Sequence, residues 1–466
     1  MFAMNTRLGA SHATLVEILR SSPDLRDESA LTGVLDLLAG RRTLDLSDLT
    51  AEDQAALIGA RAAELLPSVA RLADLLGAHR PLVVKFGIDP TAADVHLGHT
   101  VPMIIASRFQ RMGHRVVFIV GDLTARIGDP TGRSAERPAL TDDEIARNMA
   151  TYRDQVSPFF DFDQADFRFN SEWLSGVTLP RFLGVLERLP VSAALQRDDF
   201  RGRLAAGGGL TMAELLYSVV MALDSAEVVA DVEIGGLDQL LNLQMCRRVM
   251  ENAGLTPEVI IATGLIEGAD GSGAKMSKSK GNFVGLGSPP REVYGKLMSS
   301  PDRLLPDYLS TLTELLDPEI ERLLDSVPPM RVKTVLAADV TAAIHGRDRT
   351  EVARASFAAQ FSRRALKDAT DLPVVDLDEY GQSTVAELFV RTTSLVPSRN
   401  QVRRVAAGGG LRLVVEAPGR QPRTIGLTDA DARLADLLST DVVGTDPAIR
   451  TFLRCGRAVV EVRRSA

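Results

Sequence analysis

Two short motifs in this sequence carry residue types that can bind a polyphosphate. The first, His96-Leu97-Gly98-His99, follows an apolar strand pattern and opens an apolar helical pattern. Histidines three residues apart share one helix face, and the free N–H groups and dipole of a helix N-terminus favour an anion. Gly98 lets a flat nucleotide approach the backbone. The motif predicts a triphosphate site, although so short a match can also arise by chance in a polar loop.

The second motif is KMSKSK, which runs from Lys275 to Lys280 between glycines and serines. Glycine and serine favour a mobile loop, and mobile lysines can close on phosphates and stabilise the charge of a leaving pyrophosphate. The chain has 46 arginines but only seven lysines, and three of the seven lie in this run. A merely solvated basic loop would not require lysine in a chain that otherwise uses arginine, so the compact ammonium indicates a specific task.

Composition limits the classes of protein to consider. The chain has 466 residues, 45% of them apolar and 24% charged, which predicts a globular protein of two or three domains. We find no apolar run long enough for a membrane span and no secretory signal pattern, so we expect a cytoplasmic protein without membrane contact. Cys246 and Cys455 lie far apart, outside any cysteine–histidine cluster, so neither a disulfide nor zinc is expected.

The net charge of −8 is divided unevenly along the chain. Residues 381–466 contain thirteen arginines, no lysine and eight acidic residues, a net charge of +5. A basic segment on an acidic body is typical of a protein that holds a polyanion with one part. The alternative is a basic, solvated tail without a partner.

Hydrophobic patterns place both motifs in an α/β fold. Apolar runs at 81–88 and 115–122 indicate buried strands, and the two-histidine loop and an apolar helix lie between them. Strand, helix and strand at this spacing form a parallel crossover unit. Further strands are predicted to end at Asn170 and to span 259–266, after a long helical insertion. The predicted fold class is α/β, with a doubly wound parallel Rossmann-type sheet, a helical domain and a small C-terminal α+β domain.

The same patterns divide the chain into five segments. The first shows helical periodicity and no strand pattern, which predicts a helical N-terminal extension. The predicted segments are this extension at 1–78, a Rossmann-type domain with a helical insertion at 79–290, a helical domain at 291–371, a linker at 372–384 and a small basic domain at 385–466.

The two motifs, in this order around a parallel sheet, identify the chain as similar to class I aminoacyl-tRNA synthetases. From about Leu82 onward it resembles the bacterial tyrosyl-tRNA synthetases in KFGIDPTAADVHLGHT, FIVGDLTARIGDPTGRS, FNSEWL, QRDDF, ELLYSVVMALDS, ADVEIGGLDQ and KMSKSKGN. Residues before about Gly77 have no counterpart that we recognise. The resemblance implies ATP-dependent activation of L-tyrosine or a related amino acid, transfer to tRNA, and a homodimer. Mg²⁺ would accompany ATP as substrate, with no tightly bound cofactor or zinc, and 291–371 would lie on the anticodon side.

The resemblance also assigns roles to positions of this sequence. The family's catalytic positions correspond to Thr91, His96, His99, Lys275 and Lys278. Its ATP-binding positions correspond to Asp89, Gly98, Gly236, Asp238, Met276 and Ser277. Its amino-acid-binding positions correspond to Lys85, Asp129, Asn170, Tyr217, Met221, Asp224 and Gln239. Among these, Asp224 would accept the phenolic O–H, Tyr217 and Asp129 would contact the α-amino group, and Gln239 the carboxyl group.

Three departures from the family pattern concern the amino acid. Met221 stands where the family has a glutamine that helps hold the substrate ammonium, and a thioether is a weak acceptor. Leu237 replaces a small polar residue, and Leu223 replaces a tyrosine. These changes leave open a paralogue that adenylates a different or non-standard amino acid for specialised biosynthesis. A non-catalytic RNA-binding descendant is a third hypothesis, which the intact nucleotide motifs disfavour.

The C-terminal segment resembles a small RNA-binding domain shared with a ribosomal protein, in PSRNQVRRVAAGGGLRL. Its helix would direct Arg399, Arg403 and Arg404 towards phosphates. The family's usual turn after this helix is replaced by Leu413-Val414-Val415, so the resemblance is partial.

Overall fold

In the computed structural model the chain forms two compact units, residues 1–353 and 354–466. The structure describes residues 6–131, 140–195, 197–361, 373–393, 396, 398–407, 409–417, 423–438, 449–456 and 458–463. The end of the GDPTGRS stretch, the end of the predicted helical domain, the start of the predicted linker and two positions of the predicted RNA-binding motif lie outside these residues. Among the described residues, no helix combines the length and the apolar character that crossing a membrane requires.

A six-stranded sheet forms the centre of the first unit. Its strands are β1 (Ala62–Leu66), β2 (Val83–Ile88), β3 (Arg115–Val120), β4 (Asp166–Phe169), β5 (Val232–Gly236) and β6 (Val259–Thr263), in the spatial order β1-β6-β5-β2-β3-β4. All neighbours are parallel except β1, which pairs antiparallel with β6 at one edge. The predicted doubly wound parallel sheet is confirmed.

The strand order places the site at the centre of the sheet. β2 lies between β3 and β5, so the chain leaves β2 in one direction and returns on its other side. A crevice forms at the carboxyl ends of the strands where the order reverses, and ligands of open α/β sheets bind there. The strands β3 and β6 are almost entirely buried and apolar, as is typical of parallel strands covered by helices.

Helices surround the sheet and form the rest of the first unit. Before the third strand they are α1 (Arg7–Ser21), α2 (Glu28–Arg42), α3 (Ala51–Gly59), α4 (Val69–Leu76) and α5 (Leu97–Arg111). Up to the last strand they are α6 (Thr124–Ile127), α7 (Asp142–Met149), α8 (Tyr152–Val156), α9 (Ser171–Leu174), α10 (Leu179–Leu186), α11 (Val191–Ala194), α12 (Asp198–Ala205), α13 (Met212–Val228) and α14 (Leu240–Asn252). After it come α15 (Pro290–Ser299), α16 (Leu305–Leu312), α17 (Asp317–Ser326), α18 (Pro329–His345) and α19 (Arg347–Phe361), which continues into the second unit.

Two strands of this sheet differ from the sequence-based expectation. β1 lies inside the segment that we predicted to be entirely helical. Its sequence, AAELL, has helical propensity, but pairing with β6 overrides that local preference. β5 was not predicted, because Glu233 interrupts its short apolar run. The structure shows that Lys85 forms an ion pair with this buried carboxylate.

Buried ion pairs attach the N-terminal helices to the helices after the sheet. Arg41 of α2 donates to both carboxylate oxygens of Glu319 at 2.6 Å each, and both side chains are at most 2% exposed. Arg108 and Arg111 of α5 bind Glu314 at 3.1 and 2.7 Å. Burial raises the pKa of Glu314, but these arginines outweigh burial and hold it at about 2.

The second unit contains a five-stranded sheet with helices. Its strands are β7 (Val374–Asp376), β8 (Leu411–Glu416), β9 (Arg423–Gly426), β10 (Arg450–Cys455) and β11 (Ala458–Arg463), in the order β7-β11-β10-β8-β9. Its further helices are α20 (Leu377–Tyr380), α21 (Val385–Thr392), α22 (Arg399–Ala407) and α23 (Leu434–Leu437). The segment predicted to be a linker contains β7 and α20. It forms a strand because β7 pairs with β11. The segment 413–415, predicted to replace a turn, lies within β8.

Candidate active site

The two histidines of the first motif form the N-terminus of α5. His96 is the N-cap, its Nδ1 accepts a hydrogen bond from the N–H of Gly98 at 3.1 Å, and Nδ1 of His99 accepts from the N–H of His96 at 3.2 Å. The two rings lie 3.9 Å apart. Because each Nδ1 is an acceptor, each neutral ring carries its proton on Nε2. The motif therefore offers two Nε2–H donors beside the N–H groups of a helix.

The histidines are held neutral by their surroundings. Burial, followed by the positive charges of Lys278 and Lys275, lowers the pKa of His96 to about 4. Burial, followed by the neighbouring ring of His96, lowers the pKa of His99 well below its ordinary value. A Cβ at Gly98 would lie 2.9 Å from Cε1 of His96, so only glycine permits this arrangement of the ring.

The lysine loop lies against the same helix terminus. Lys275 Nζ contacts Asp238 Oδ2 at 2.7 Å, while Met276 is buried and its N–H donates to the carbonyl of Ile266 at 2.8 Å. Burial lowers the pKa of Lys278, and Asp94 opposes the shift. The structure thus brings together lysines and histidines that are far apart in sequence.

Backbone pairing fixes the position of the segment that follows the loop. The N–H of Leu97 donates to the carbonyl of Val284 at 3.0 Å, and the N–H of Leu286 donates to the carbonyl of Val95 at 2.8 Å. Within the loop, the N–H of Ser277 donates to Oδ1 of Asn282 at 2.8 Å. Asn282 was not predicted, although it belongs to the KMSKSKGN match.

A second group of residues lies deeper, around Asp224 of α13. Its Oδ1 accepts from the indole N–H of Trp173 at 2.8 Å, and its Oδ2 accepts from the side-chain amide of Asn170 at 3.2 Å. Burial raises the pKa of Asp224 to about 6, while the charge of Lys85 and these two donors oppose the increase. Two donors therefore orient this buried carboxylate and leave lone pairs for a further donor.

The hydrogen bonds continue from this carboxylate to the loop that precedes the histidines. The amide of Asn170 also contacts Thr124 Oγ1 at 3.0 Å, which donates to Asp89 Oδ1 at 2.7 Å. The phenol of Tyr217 donates to Asp89 Oδ2 at 2.8 Å. Burial, together with Asp129 and Asp224, raises the pKa of Asp89 to about 7, although its two hydrogen bonds oppose the increase.

Asp129 belongs to a third set of contacts. It accepts from Gln239 Nε2 at 2.7 Å and from the hydroxyl of Thr131 at 2.6 Å. Arg197 donates to Thr131 Oγ1 and to Asn242 Oδ1, each at 2.9 Å. Asp89, Asp129 and Asp224 thus place three carboxyl groups around one region, which favours a cationic ligand group.

Lys85 and Met221 have surroundings that differ from those of the other predicted amino-acid-binding residues. Lys85 is 1% exposed, and its ammonium binds Glu233 at 2.6 Å beneath α13. Met221 packs against apolar side chains of α14 and β6, including Leu243 and Ile260. Lys85 is therefore placed behind the pocket wall, whereas Met221 is only partly buried, and the predicted contacts of both side chains with the amino acid remain predictions.

The two other residues that depart from the family pattern have different surroundings in the structure. Leu223 is buried in an apolar cluster with Leu174, Val219 and residues of α14, whereas Leu237 is 41% exposed beside Gly236. Leu223 therefore serves the packing of α13 against its neighbours.

Sequence reasoning missed several residues that orient the predicted ones. Trp173 is the single tryptophan of the chain and lies in the quoted FNSEWL stretch, so its rarity was an available signal. Arg197 lies in the quoted QRDDF stretch. Thr124 and Thr131 lie in the quoted FIVGDLTARIGDPTGRS stretch, whereas Asn242 carries no signal in a single sequence, because small polar residues are common at turns and helix starts.

In the second unit, the predicted RNA-binding arginines lie on α22. Val402 and Ala406 face the core, and Arg399, Arg403 and Arg404 lie on exposed positions. Arg399 contacts Glu387 at 3.1 Å and Arg403 contacts Asp431 at 2.9 Å. A polyanion would have to compete with these two exposed pairs, which are weak.

Known proteins resemble this chain over most of its length. A family model described as tRNA synthetases class I (W and Y) matches residues 77–362. A tyrosine–tRNA ligase of Thermotoga maritima is 36% identical over 368 residues, which are 78% of this chain and 90% of that protein. A tyrosine–tRNA ligase of Thiobacillus denitrificans is 39% identical over 357 residues, which are 76% of this chain and 89% of that protein.

Solved structures share the fold at lower sequence identity. A C-terminally truncated mitochondrial tyrosyl-tRNA synthetase of Aspergillus nidulans matches with a TM-score of 0.57 and 21% identity, covering 72% of this chain and 100% of that chain. The tyrosyl-tRNA synthetase of Archaeoglobus fulgidus complexed with L-tyrosine matches with a TM-score of 0.52 and 20% identity, covering 64% of this chain and 99% of that one. The family model begins at residue 77, after β1 and α4.

Proposed function

The chain belongs to the class I tRNA synthetases of the tryptophan and tyrosine family, and we propose that it is a tyrosine–tRNA ligase. It activates tyrosine with ATP to enzyme-bound tyrosyl-adenylate and transfers the tyrosyl group to the terminal ribose of tRNA. The substrates imply a cytoplasmic location. The observation that carries the proposal is the convergence of two neutral histidines and two loop lysines on the N-terminus of α5.

The activation step requires stabilisation of phosphate charge. A carboxylate oxygen of tyrosine attacks the α-phosphorus of ATP, a new P–O bond forms, and pyrophosphate leaves with the electrons of the broken bond. Mg²⁺ enters with ATP as part of the substrate. His96 and His99 donate Nε2–H to phosphate oxygens, Thr91 binds the γ-phosphate, and Lys275 and Lys278 neutralise charge that grows in the transition state.

The ribose end of the nucleotide has its own positions in this proposal. Gly236 ends β5, and a Cβ there would lie 2.6 Å from Asp238 Oδ1 and 3.2 Å from Leu265. Asp238 accepts the ribose hydroxyls once Lys275 moves from its carboxylate to the phosphates. The ion pair seen between Lys275 and Asp238 is therefore the resting state of the loop.

Asp224 selects tyrosine through its phenolic O–H. The carboxylate already accepts from Trp173 and Asn170, and its remaining lone pairs accept the hydroxyl of the substrate. Phenylalanine would bury the same carboxylate without that hydroxyl. Leaving a buried acceptor unsatisfied costs about 1–3 kcal/mol, and more for a charged group.

The ammonium of tyrosine binds among the carboxyl groups of Asp89 and Asp129 and the hydroxyl of Tyr217. Burial, followed by the charges of Asp129 and Asp224, raises the pKa of Asp89 to about 7, and a bound ammonium would favour its ionised form. Gln239 has a second amide N–H beyond the one given to Asp129, and this donor reaches the substrate carboxylate. Met221 and Leu223 pack into apolar clusters, so neither favours a different amino acid.

The tRNA and a second copy of the chain are the proposed macromolecular partners. α22 and its arginines contact RNA phosphates. The helical insertion has a set of exposed apolar side chains, which are Leu179, Leu183, Val191, Leu204 and Met212, exposed by 50–68%. Exposed apolar groups on one segment are typical of an interaction surface, and we assign this one to a homodimer.

ATP–pyrophosphate exchange across a panel of amino acids tests the proposed substrate. Tyrosine should support exchange and phenylalanine should not, and charging of tRNA with labelled tyrosine should follow. Exchange with another amino acid and none with tyrosine would refute the proposal. Equal charging by a chain lacking residues 385–466 would refute the role of the second unit in tRNA binding.

A further inference from the structure

A buried cluster of ionisable side chains lies behind α13, outside the proposed catalytic contacts. Its members come from five different parts of the first unit and are at most 1% exposed. They are Lys85 of β2, Ser225 of α13, Glu233 of β5, Cys246 of α14 and Glu258, which precedes β6. Burial of so many ionisable groups is costly unless their charges and hydrogen bonds are matched.

One half of the cluster is well paired. Lys85 Nζ lies 2.6 Å from Glu233 Oε1 and 2.8 Å from Ser225 Oγ. The hydroxyl of Ser225 donates to Glu233 Oε2 at 3.1 Å. Burial raises the pKa of Glu233, but the ammonium of Lys85 outweighs burial and holds it below its ordinary value. Glu233 is therefore an anion and Lys85 a cation.

Glu258 is different, because its carboxyl group lacks the close partners that Glu233 has among the described residues. Within the part of the chain that the structure describes, neither Oε atom accepts a hydrogen bond, although its backbone carbonyl accepts one from Arg247. Its polar neighbours are acceptors or already committed, chiefly Glu233 and Ser225. Burial, followed by the charge of Glu233, raises the pKa of Glu258 well above its ordinary value.

Charge neutrality decides which form Glu258 takes. The cluster contains one ammonium, so two ionised carboxylates would leave an unpaired negative charge in a site without water contact. A protonated Glu258 instead donates its O–H to the Glu233 carboxylate. Glu233, Cys246 and Glu258 have ligand atoms within 4.8 Å of one another, a spacing that could suit a metal ion. The ammonium of Lys85 already supplies the cation there, and burial keeps the thiol of Cys246 protonated by raising its pKa.

The cluster acts on the proposed tyrosine site through Lys85. Its ammonium is directed at α13, where it also lies 3.4 Å from the carbonyl of Met221, and Ser225 is the residue next to Asp224. The charge of Lys85 opposes the effect of burial on the pKa of Asp224. A second anion at Glu258 would cancel this influence.

We propose that Lys85, Glu233 and protonated Glu258 form a neutral unit that holds Asp224 ionised, so that it can accept the phenolic O–H of the substrate. These three are positioning residues that touch no substrate atom. The charged or titratable groups that face Glu258 are Lys85, Glu233 and Cys246, with Asp224 beyond Lys85. The proposal rests on the proposed function, because it assumes that Asp224 binds a hydroxyl.

The protonation of Glu258 is tested through the stability of the full chain. In E258Q an amide of the same shape donates a hydrogen bond but cannot ionise. The folded pKa of Glu258 is raised, so its contribution to stability is complete below about pH 4.5 and is lost as the pH rises through the folded value. The urea midpoint of wild type should therefore fall relative to that of E258Q between pH 4.5 and pH 8.5.

Other outcomes of this titration contradict the proposal. A difference between the two midpoints that is independent of pH, or one that favours wild type as the pH rises, would show that Glu258 is ionised in the folded chain. Stoichiometric metal in the purified wild-type protein, lost in E258Q, would replace the proposed unit with a metal site. This experiment does not depend on the identity of the amino acid substrate.

The effect on Asp224 is tested with the double variant K85M/E233Q, which removes both charges together and leaves the cluster neutral. A urea transition like that of wild type shows that the variant folds. Its kcat/KM for tyrosine in exchange should fall about tenfold at pH 7 and recover by pH 9, because Asp224 then ionises only at higher pH. The ratio of tyrosine to phenylalanine activity should fall in parallel, with KM for ATP unchanged.

An unaltered pH profile and an unaltered tyrosine-to-phenylalanine ratio in the folded double variant would overturn the role of the unit. The wild-type control separates this failure from that of the proposed function. If wild type itself gives no exchange with tyrosine, the proposed function fails, while the stability titration of E258Q still reports whether the neutral unit exists.

Discussion

The proposed nucleotide end and the proposed amino-acid end of the site are built in different ways. The nucleotide end uses backbone N–H groups, two neutral imidazoles and lysines of a loop, and each set is contiguous in sequence. The amino-acid end uses three carboxyl groups that are oriented by Trp173, Asn170, Thr124 and other residues from separate elements. Phosphate charge can be met by a local motif, whereas recognition of a hydroxyl and an ammonium in a buried site requires a network.

The largest expected effect is at the nucleotide end. The double variant K275M/K278M removes both loop cations that we propose to stabilise the leaving pyrophosphate, so the maximal rate of tyrosine-dependent exchange should fall by about 10²–10³. KM for tyrosine should change little. K280M, which alters the third, exposed lysine of the same loop, is the matched control and should stay within about threefold of wild type. A comparable loss in K280M would mean that the total loop charge, and not two placed ammonium groups, is what matters.

The next effect concerns the carboxyl groups at the amino-acid end. The pKa of Asp89 is raised to about 7, so its contribution to stability is complete below about pH 3.8 and is lost as the pH rises through about 7. Across that window wild type should lose roughly 2–4 kcal/mol of unfolding free energy relative to D89N. Urea denaturation at several pH values measures this difference. Saturating tyrosine should reduce the loss in wild type, because its ammonium favours ionised Asp89.

A difference in unfolding free energy between wild type and D89N that stays constant from pH 4 to pH 8 would contradict the description of the amino-acid end as a group of mutually repelling carboxyl groups. Asp89 would then be paired with a cation already in the free protein.

A smaller effect is expected from W173F, which removes the indole donor of Asp224 and keeps an aromatic ring. Without this donor the pKa of Asp224 should rise above about 6. The kcat/KM for tyrosine should therefore fall about tenfold at pH 6.5 and much less at pH 8.5. R168M is the control, because Arg168 stacks on the Trp173 ring at 5.4 Å without contacting Asp224. An equal loss of kcat/KM in W173F at both pH values would indicate a packing defect.

The smallest effect on activity is expected from M221Q. The Met221 side chain packs with Leu243 and Ile260, so glutamine should change KM for tyrosine by less than about threefold, while burying its amide costs about 1–3 kcal/mol of stability. Exchange kinetics and a urea midpoint measure the two quantities. A large decrease in KM would place this side chain in the pocket and make the two ends more alike than the structure indicates.

The sequence pointed to both motifs of the proposed nucleotide end, because HLGH and KMSKS place their residues within four to six positions of one another, and the structure brings the two motifs together. It also predicted the parallel sheet from the apolar runs at β2 and β3. β1 and β5 were not predicted, for physical reasons. Pairing with β6 overrides the helical propensity of β1, and Lys85 of the neighbouring β2 compensates the charge of the buried Glu233 in β5.

At the proposed amino-acid end, the resemblance pointed to Asp224, Asp129 and Tyr217, but the residues that orient them could not be derived. Trp173, Arg197 and Asn242 act through contacts 45 to 66 residues away in sequence. The ion pair of Lys85 and the apolar neighbours of Met221 could not be derived for the same reason, because sequence spacing shows which face of an element a residue occupies but not what covers that face.

A crystal structure with a non-hydrolysable tyrosyl-adenylate analogue tests this division of the site most directly. We predict that the phenolic oxygen lies within about 3.2 Å of an Asp224 oxygen, the ammonium lies among Asp89, Asp129 and Tyr217, and the phosphate lies beside the Nε2 atoms of His96 and His99. An aromatic ring that points away from Asp224, or a phosphate bound away from the N-terminus of α5, would contradict it.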